Sequence, residues 1–405
     1  MVLTDIETGL SDVEKTIRDR AHQFAQEVLR PAGRELDRLH DPELVIRPDS
    51  ILWDTFASYR EAGLADLDGA TKELTLAERT RVRVMVSEEL GWGDVGLTIS
   101  LGVAGFHRMF CLMSQRPDLI ERYVNGGDTE VGCWAITEPN HGSDQLALTE
   151  PHFSDSSSRV DCIATRDGDE YVIRGQKSAW VSNGTISTVA ALFCNIEPSE
   201  GIRSGGVCVV PLDLPGVSKG KPLDKLGQRA LNQGEIFFDE VRIPAGYMVV
   251  GKENYAPMVE QILTGANSSM STMFVGVARA ALEHALEYAT QRVQGGRRII
   301  EHQGVKSRIF EMFAQVEAAR SLARRVAYSN ALNEAKLEYS IAAKVVATNT
   351  AFETANAAVQ IFGGNGLTRE FPVEKLLRDA RASMIEDGNN ELLGLVAASK
   401  LAENM

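Results

Sequence analysis

The chain has 405 residues, 44% of them hydrophobic, and a formal net charge of −14 at neutral pH. At roughly 100–200 residues per domain, this length predicts two or three domains. The acidic balance argues against nucleic acid or an anionic membrane as partner, since either needs a cationic face.

The start, "MVLTDIETGL", is acidic where a signal peptide would be basic, and no run of about 18 apolar residues follows. A soluble, cytoplasmic protein is expected. Ser11 and Glu14 stand at capping-box spacing, and Val13, Ile17, Ala21, Phe24 and Val28 repeat at helical intervals until Pro31, where the helix should stop. Helical pattern continues to about residue 125 and includes "RVRVMVSEELGWGD". The acid within that stretch, Asp94, reads as a helix cap.

From about 131 to 250 the texture changes to short β-rich runs. Asp167-Gly168 divides two of them like a hairpin, and "SGGVCVVPLDLPGV" and "EIFFDEVRIP" supply more, so six to eight strands are expected. Beyond 251 long helical stripes return, one through Phe274, Val277, Ala278, Ala281, Ala285 and Tyr288, another through Phe352, Ala355, Val359 and Phe362. This order predicts an α+β protein: an N-terminal helical domain (1–130), a middle β-sandwich or barrel-like domain (131–250) and a C-terminal helical bundle (251–405). It contains no βαβ alternation and no GxGxxG, which excludes a Rossmann domain.

The cysteines (Cys111, Cys133, Cys162, Cys194, Cys208) follow no CxxC or Cys/His spacing, so neither a zinc site nor a disulfide frame is predicted. His107 and His141 lack a second ligand at metal-binding spacing, and His284 falls on an apolar stripe as a core or interface histidine. The stretch "ITEPNHGSD" (136–144) supports two readings. It is either an ordinary strand-to-loop exit beside solvated acids, or a turn whose glycine lets backbone N–H groups approach an anion.

Taken in order, "ITEPNHGSD", "GQKSAWVSNG", "QIFGGNG" and "RDARASMIEDGNNE", with the α, β, α texture, resemble the acyl-CoA dehydrogenase flavoprotein family along nearly the whole chain. The resemblance implies FAD as cofactor, an acyl-CoA substrate, an electron-transferring flavoprotein as partner and a homotetramer built as a dimer of dimers. It implies that Trp134, Ile136, Thr137, Gly142 and Ser143 line the flavin, Ser143 also lying near the thioester, and that Trp180, Val181 and Ser182 form a second flavin segment. Arg292 would reach the pyrophosphate of a neighbouring subunit's flavin. Gln303, beside His302, would serve the adenosine side with Gln360, Gly363 and Gly364, while Asn389 and Glu391 would contact the cofactor from the last loop. Without the resemblance, Trp180 reads as plain core and Arg292 as solvated surface.

The reaction so implied removes an α-proton and a β-hydride from a saturated thioester. Anchored on "RDAR" and Gly388, the family's glutamate base falls on Asp387, with Glu386 as the alternative. Gly388, Ser143 and Asn267 would contact substrate, the lack of a side chain at Gly388 letting the thioester lie against the loop. Departures are evident: the base is one methylene shorter, Glu386 stands for an aromatic, Asn389 for a threonine, Asn267 for an arginine, and "RVQGG" lacks an aromatic after Arg292. Ala266 closes the other position from which family members supply a base. The departures hint at an unusual acyl group, alicyclic, aromatic or sterol-derived, and keep open a lyase or desulfinase-type reaction without net oxidation. A non-catalytic binding relic would be expected to lose the base carboxylate, whereas both Glu386 and Asp387 are present.

Overall fold

In the computed structural model, which describes residues 6–126, 130–148, 150, 158–196 and 201–403, helix α1 (Asp12–Phe24) begins with the reciprocal cap its sequence predicts. The Ser11 N–H donates to Glu14 Oε2 at 2.7 Å, and the Glu14 N–H donates to Ser11 Oγ at 3.3 Å. The acidic start at 1–5 lies outside the described residues. Pro31 does not stop the helix: a π-turn (Ala25–Leu29) leads into α2 (Arg30–Arg38), with Pro31 in its first turn. A widened turn relieves the clash between the proline ring and the carbonyl four residues back, so the chain runs on.

Helices α3 (Ile51–Glu61), α4 (Leu67–Ala70), α5 (Leu76–Gly93), α6 (Val95–Ala104), α7 (Phe106–Ser114) and α8 (Pro117–Ile120) complete the first third. Asp94 caps α6, its Oδ1 accepting from the Leu97 N–H at 2.9 Å, as the sequence suggests. Contrary to the sequence expectation, Val95–Ser114 has the length and mean hydropathy (1.4) of a membrane span. The stretch is two helices broken at Gly105, and half of it is buried against the rest of the protein.

Eight strands follow: β1 (Gly132–Ala135), β2 (Ile163–Asp167), β3 (Glu170–Lys177), β4 (Val189–Asn195), β5 (Gly205–Pro211), β6 (Val217–Lys219), β7 (Ile236–Pro244) and β8 (Met248–Val250). They form one sheet in the order β6-β7-β3-β2-β4-β5-β8, with β1 parallel to β4. The β2–β3 hairpin turns where Asp167-Gly168 predicts it, Gly168 supplying a φ of 62°. Strand β4 is buried on both faces. Val189, Ala191 and Phe193 meet the helices, whereas Ala190, Leu192 and Cys194 join side chains from β2, β3, β5 and β7 in a core around which the sheet curls. The cysteines are buried and free, four of them in that interior.

The last third is α9 (Lys252–Gln291), a short hairpin of β9 (Val293–Gln294) and β10 (Arg297–Arg298), α10 (Gln303–Leu332), α11 (Leu337–Phe362), α12 (Val373–Ser383) and α13 (Asn390–Glu403). Gly91 and Gly276 let α5 and α9 cross in backbone contact, since a Cβ on either would lie 2.1–2.2 Å from a carbonyl oxygen of the other helix. Buried Glu88 and Glu89 on α5 meet Arg279 of α9 and Arg320 of α10, which fixes the N-terminal helices onto the bundle.

Candidate functional site

Past β1 the backbone enters the turn that the sequence singles out. Glu138 and His141 exchange backbone hydrogen bonds of 2.8 and 3.2 Å across Pro139-Asn140, closing it tightly. Beneath lies a fully buried ion pair, Lys177 Nζ to Glu138 Oε1 at 2.5 Å. The Lys177 ammonium also donates to Ile136 O (3.0 Å), and the Glu138 carboxylate accepts from the Asp161 and Cys162 N–H groups. Every atom of this pair therefore holds backbone, which gives the turn a fixed shape. Gly142 sits at φ −127°, ψ −113°, and a Cβ there would meet nothing within 4 Å.

The second segment lies against the first, because the Ser178 N–H donates to Thr137 O at 2.8 Å. Val181 is buried, yet Trp180 beside it is 58% exposed, and Ser182 Oγ accepts from Gln233 Nε2 at 3.3 Å. The open indole offers an apolar face at the edge of this segment. Trp134 packs on Phe106 with ring centroids 5.3 Å apart, and its Nε1–H is buried with no acceptor among the described residues.

The third segment is the turn between α12 and α13. Asp387 (φ 49°) and Gly388 (φ 97°) are consecutive left-handed residues. The missing Cβ of Gly388 makes room for Leu393, whose side chain lies 2.7 Å from where that atom would be. Asn389 has a structural role beside the contact expected of it. Its Oδ1 caps α13 by accepting from the Glu391 N–H at 2.9 Å, and Glu391 is exposed in the first turn of that helix. The Asn389 N–H donates to Ser143 Oγ at 3.0 Å, joining this turn to the first segment across 246 positions. Gln228 Nε2 donates to Glu386 Oε2 at 2.8 Å, and Asn267 Nδ2 lies 3.5 Å from Asp387 O.

Burial raises the Asp387 carboxyl above the usual aspartate range, with Lys344 opposing. Burial likewise pushes Glu386 up to about 7, aided by the neighbouring Asp387 charge and opposed by the Gln228 hydrogen bond, Lys225 and Lys344. The two lysines answer in kind, each lowered to about 8 by burial, Lys344 against the pull of Asp387 and Glu386 and Lys225 against that of Glu386 and Asp379. Glu386 is committed to Gln228, whereas the Asp387 carboxylate accepts no hydrogen bond among the described residues. Asp387 is the freer carboxylate.

One chain does not bring all the sequence candidates together. Arg292 closes α9, Gln303 opens α10, and Gln360, Gly363 and Gly364 close α11, all at one end of the bundle, where Tyr288 stacks on Phe362 at 4.0 Å. From Asn267 to Arg292 the helix climbs about 38 Å at 1.5 Å per residue. The first group therefore lies against the middle of α9 and the second at its C-terminal end.

A cavity of about 1000 Å³ runs along α9 from Ala256 to Thr272, between α5 and the end of α10. It starts beside Leu146 and Leu148, just past Ser143, and carries Arg83 and Arg203; none of residues 386–389 lines it. Sequence reasoning missed Lys344, Lys225, Gln228 and the Glu138–Lys177 pair. Lys344 alone left a signal, as the one charge in the small and apolar run "SIAAKVVATNTA".

Comparison with known proteins matches residues 133–241 to the acyl-CoA dehydrogenase middle domain and 258–402 to the acyl-CoA dehydrogenase C-terminal domain. A short-chain-specific acyl-CoA dehydrogenase of Clostridium acetobutylicum is 31% identical over 276 residues, 67% of this chain and 68% of the relative. The corresponding enzyme of Megasphaera elsdenii is 28% identical over 402 residues, 97% of this chain and 99% of its own length. The solved butyryl-CoA dehydrogenase of Megasphaera elsdenii superposes with a TM-score of 0.84 at 25% identity, covering 98% of this chain and all of that one.

Proposed function

The chain belongs to the acyl-CoA dehydrogenase family, and from that premise we propose that it binds FAD and converts an acyl-CoA thioester to its 2,3-enoyl-CoA, passing electrons to an electron-transferring flavoprotein. The observation that carries this reading is the Ser143–Asn389 contact, which sets the carboxylate turn at 386–388 against the turn at 136–143, itself bonded to the indole segment through Ser178 and Thr137. The residues fit a flavin. Trp180 offers an open apolar face, Gly142 an unobstructed backbone, and Trp134 a buried N–H without an acceptor.

Bound FAD supplies the acceptor for the β-hydride, a role that no side chain can fill. The chain does the rest. Asp387 accepts the α-proton, and a backbone N–H of its turn polarises the thioester carbonyl, which makes that proton more acidic. The cleft along α9 suits the CoA arm, with Arg203 and Arg83 available to its phosphates. Asp387 and Asn389 in place of the family's glutamate and threonine favour one second reading, a lyase or desulfinase-type reaction on the same thioester.

Because a single dinucleotide does not span the rise from Asn267 to Arg292, Arg292, Gln303, Gln360, Gly363 and Gly364 serve the adenosine half of a second copy's flavin, as in a homotetramer of paired dimers. The purified protein is expected to hold about one FAD per chain, and Arg292→Ala to lose FAD on gel filtration at a concentration where the native oligomer retains it. Unchanged retention would contradict the cross-subunit assignment. A colourless native protein that ignores added FAD would contradict the function.

A further inference from the structure

Lys344 is fully buried in α11, between Ile341 and Ala347 on a helix that packs mostly small or apolar side chains and buries Glu338 near its start. An ammonium in such a place is costly to desolvate and persists only where oxygens and opposite charge surround it. Both of its hydrogen-bond acceptors belong to one feature. Nζ donates to Gly388 O at 2.8 Å and to Asn390 Oδ1 at 2.7 Å, the two residues that flank Asn389 in the carboxylate turn. Asn390 is tied back to α11 in turn, Nδ2 donating to Thr348 Oγ1 (3.0 Å) and Asn349 Oδ1 (3.2 Å). One face of α11 is thus a polar bed for the turn, with a single cation at its centre.

The charges around that cation are those of the turn and its surroundings. Asp387 and Glu386 face it, Lys225 lies beyond Glu386, and Asp379 of α12 lies beside Lys225; Asn267 on α9 is neutral. Burial drives a carboxylate toward its protonated form, in which it accepts no proton. Among the described residues, the one cation bonded to the turn itself is Lys344.

We infer that Lys344 is a positioning residue for the base: it clamps the 387–390 turn in its left-handed conformation and supplies the counter-charge that keeps Asp387 ionised. The inference rests on the reading of Asp387 as base. Loss of the charge should raise the pH at which Asp387 ionises, as Lys344 opposes the effect of burial there.

Lys344→Met removes both charge and donor, while Lys344→Gln keeps a donor for Gly388 O without the charge. In FAD-loaded protein, anaerobic flavin reduction is followed from pH 5 to 9 with an acyl-CoA that bleaches the native enzyme. Both variants are expected to move the acidic limb to higher pH, slowing reduction about tenfold below the native limb and recovering toward native rates above it. A merely structural role would instead lower the rate by one factor at every pH. In protein carrying ¹³C-labelled aspartate, with the Asp387→Asn spectrum subtracted, the Asp387 carboxyl should titrate at higher pH in both variants whether or not FAD is bound. A native limb and a native carboxyl titration in folded Lys344 variants would overturn the inference while Asp387→Asn stayed silent. A fast Asp387→Asn would instead remove the base reading and the inference with it.

Discussion

Asp387→Asn should stay yellow and reduce its flavin about 10²–10⁴ times more slowly than the native protein, the usual worth of a positioned base. Asparagine keeps the volume and loses only the basic oxygen, so the turn that Lys344, Ser143 and Asn267 hold through its backbone should survive. Glu386→Gln should change the rate far less, because Glu386 spends a carboxylate oxygen on Gln228. The pH profile carries a second expectation. Asp387 works only when ionised and burial raises it, so the native rate should climb with pH along a limb above the ordinary aspartate range. Anaerobic stopped-flow bleaching across pH measures both. The reverse ranking of the two variants would transfer the base to Glu386, and fast reduction in both would remove it from this turn.

Lys177→Met should cost about 3–5 kcal/mol of stability, since it strands the fully buried Glu138 carboxylate without its cation. The loss should appear as a lower unfolding midpoint and as weakened FAD retention, because Lys177 also holds Ile136 O at the entrance to the turn. Pairing it with Glu138→Gln should recover part of the loss, as the double variant leaves no uncompensated buried charge. A double variant no more stable than Lys177→Met alone would mean that the pair acts through its backbone contacts and not through its charge.

Much of the fold was legible because its signals are local. The Ser11/Glu14 cap, the Asp167-Gly168 hairpin and the Asp94 cap each need only a few neighbouring residues to be read. Pro31 misled because the π-turn that accommodates it has no sequence signature of its own. In the site, the motifs marked the segments but not their joining. That Ser143 meets Asn389, that Gln228 reaches Glu386 and that Gly388 yields to Leu393 are consequences of packing between distant elements. Asn389 was read from the family's pattern as a cofactor contact, yet its position before α13 also makes it a cap, a competing role that local chemistry could have raised. Lys344 was visible as an isolated charge, but its partners lie 44 and 46 positions away.

The central claim is oxidation of an acyl thioester by a bound flavin, and anaerobic mixing of the FAD-loaded native protein with a panel of acyl-CoA thioesters tests it most directly. Butyryl, branched, alicyclic, arylpropanoyl and sterol-side-chain thioesters cover the candidate acyl groups. The account predicts that at least one bleaches the flavin with formation of one equivalent of 2,3-enoyl-CoA per FAD. A thioester that is cleaved or consumed while the flavin stays oxidised, with no enoyl product from any member of the panel, would contradict it.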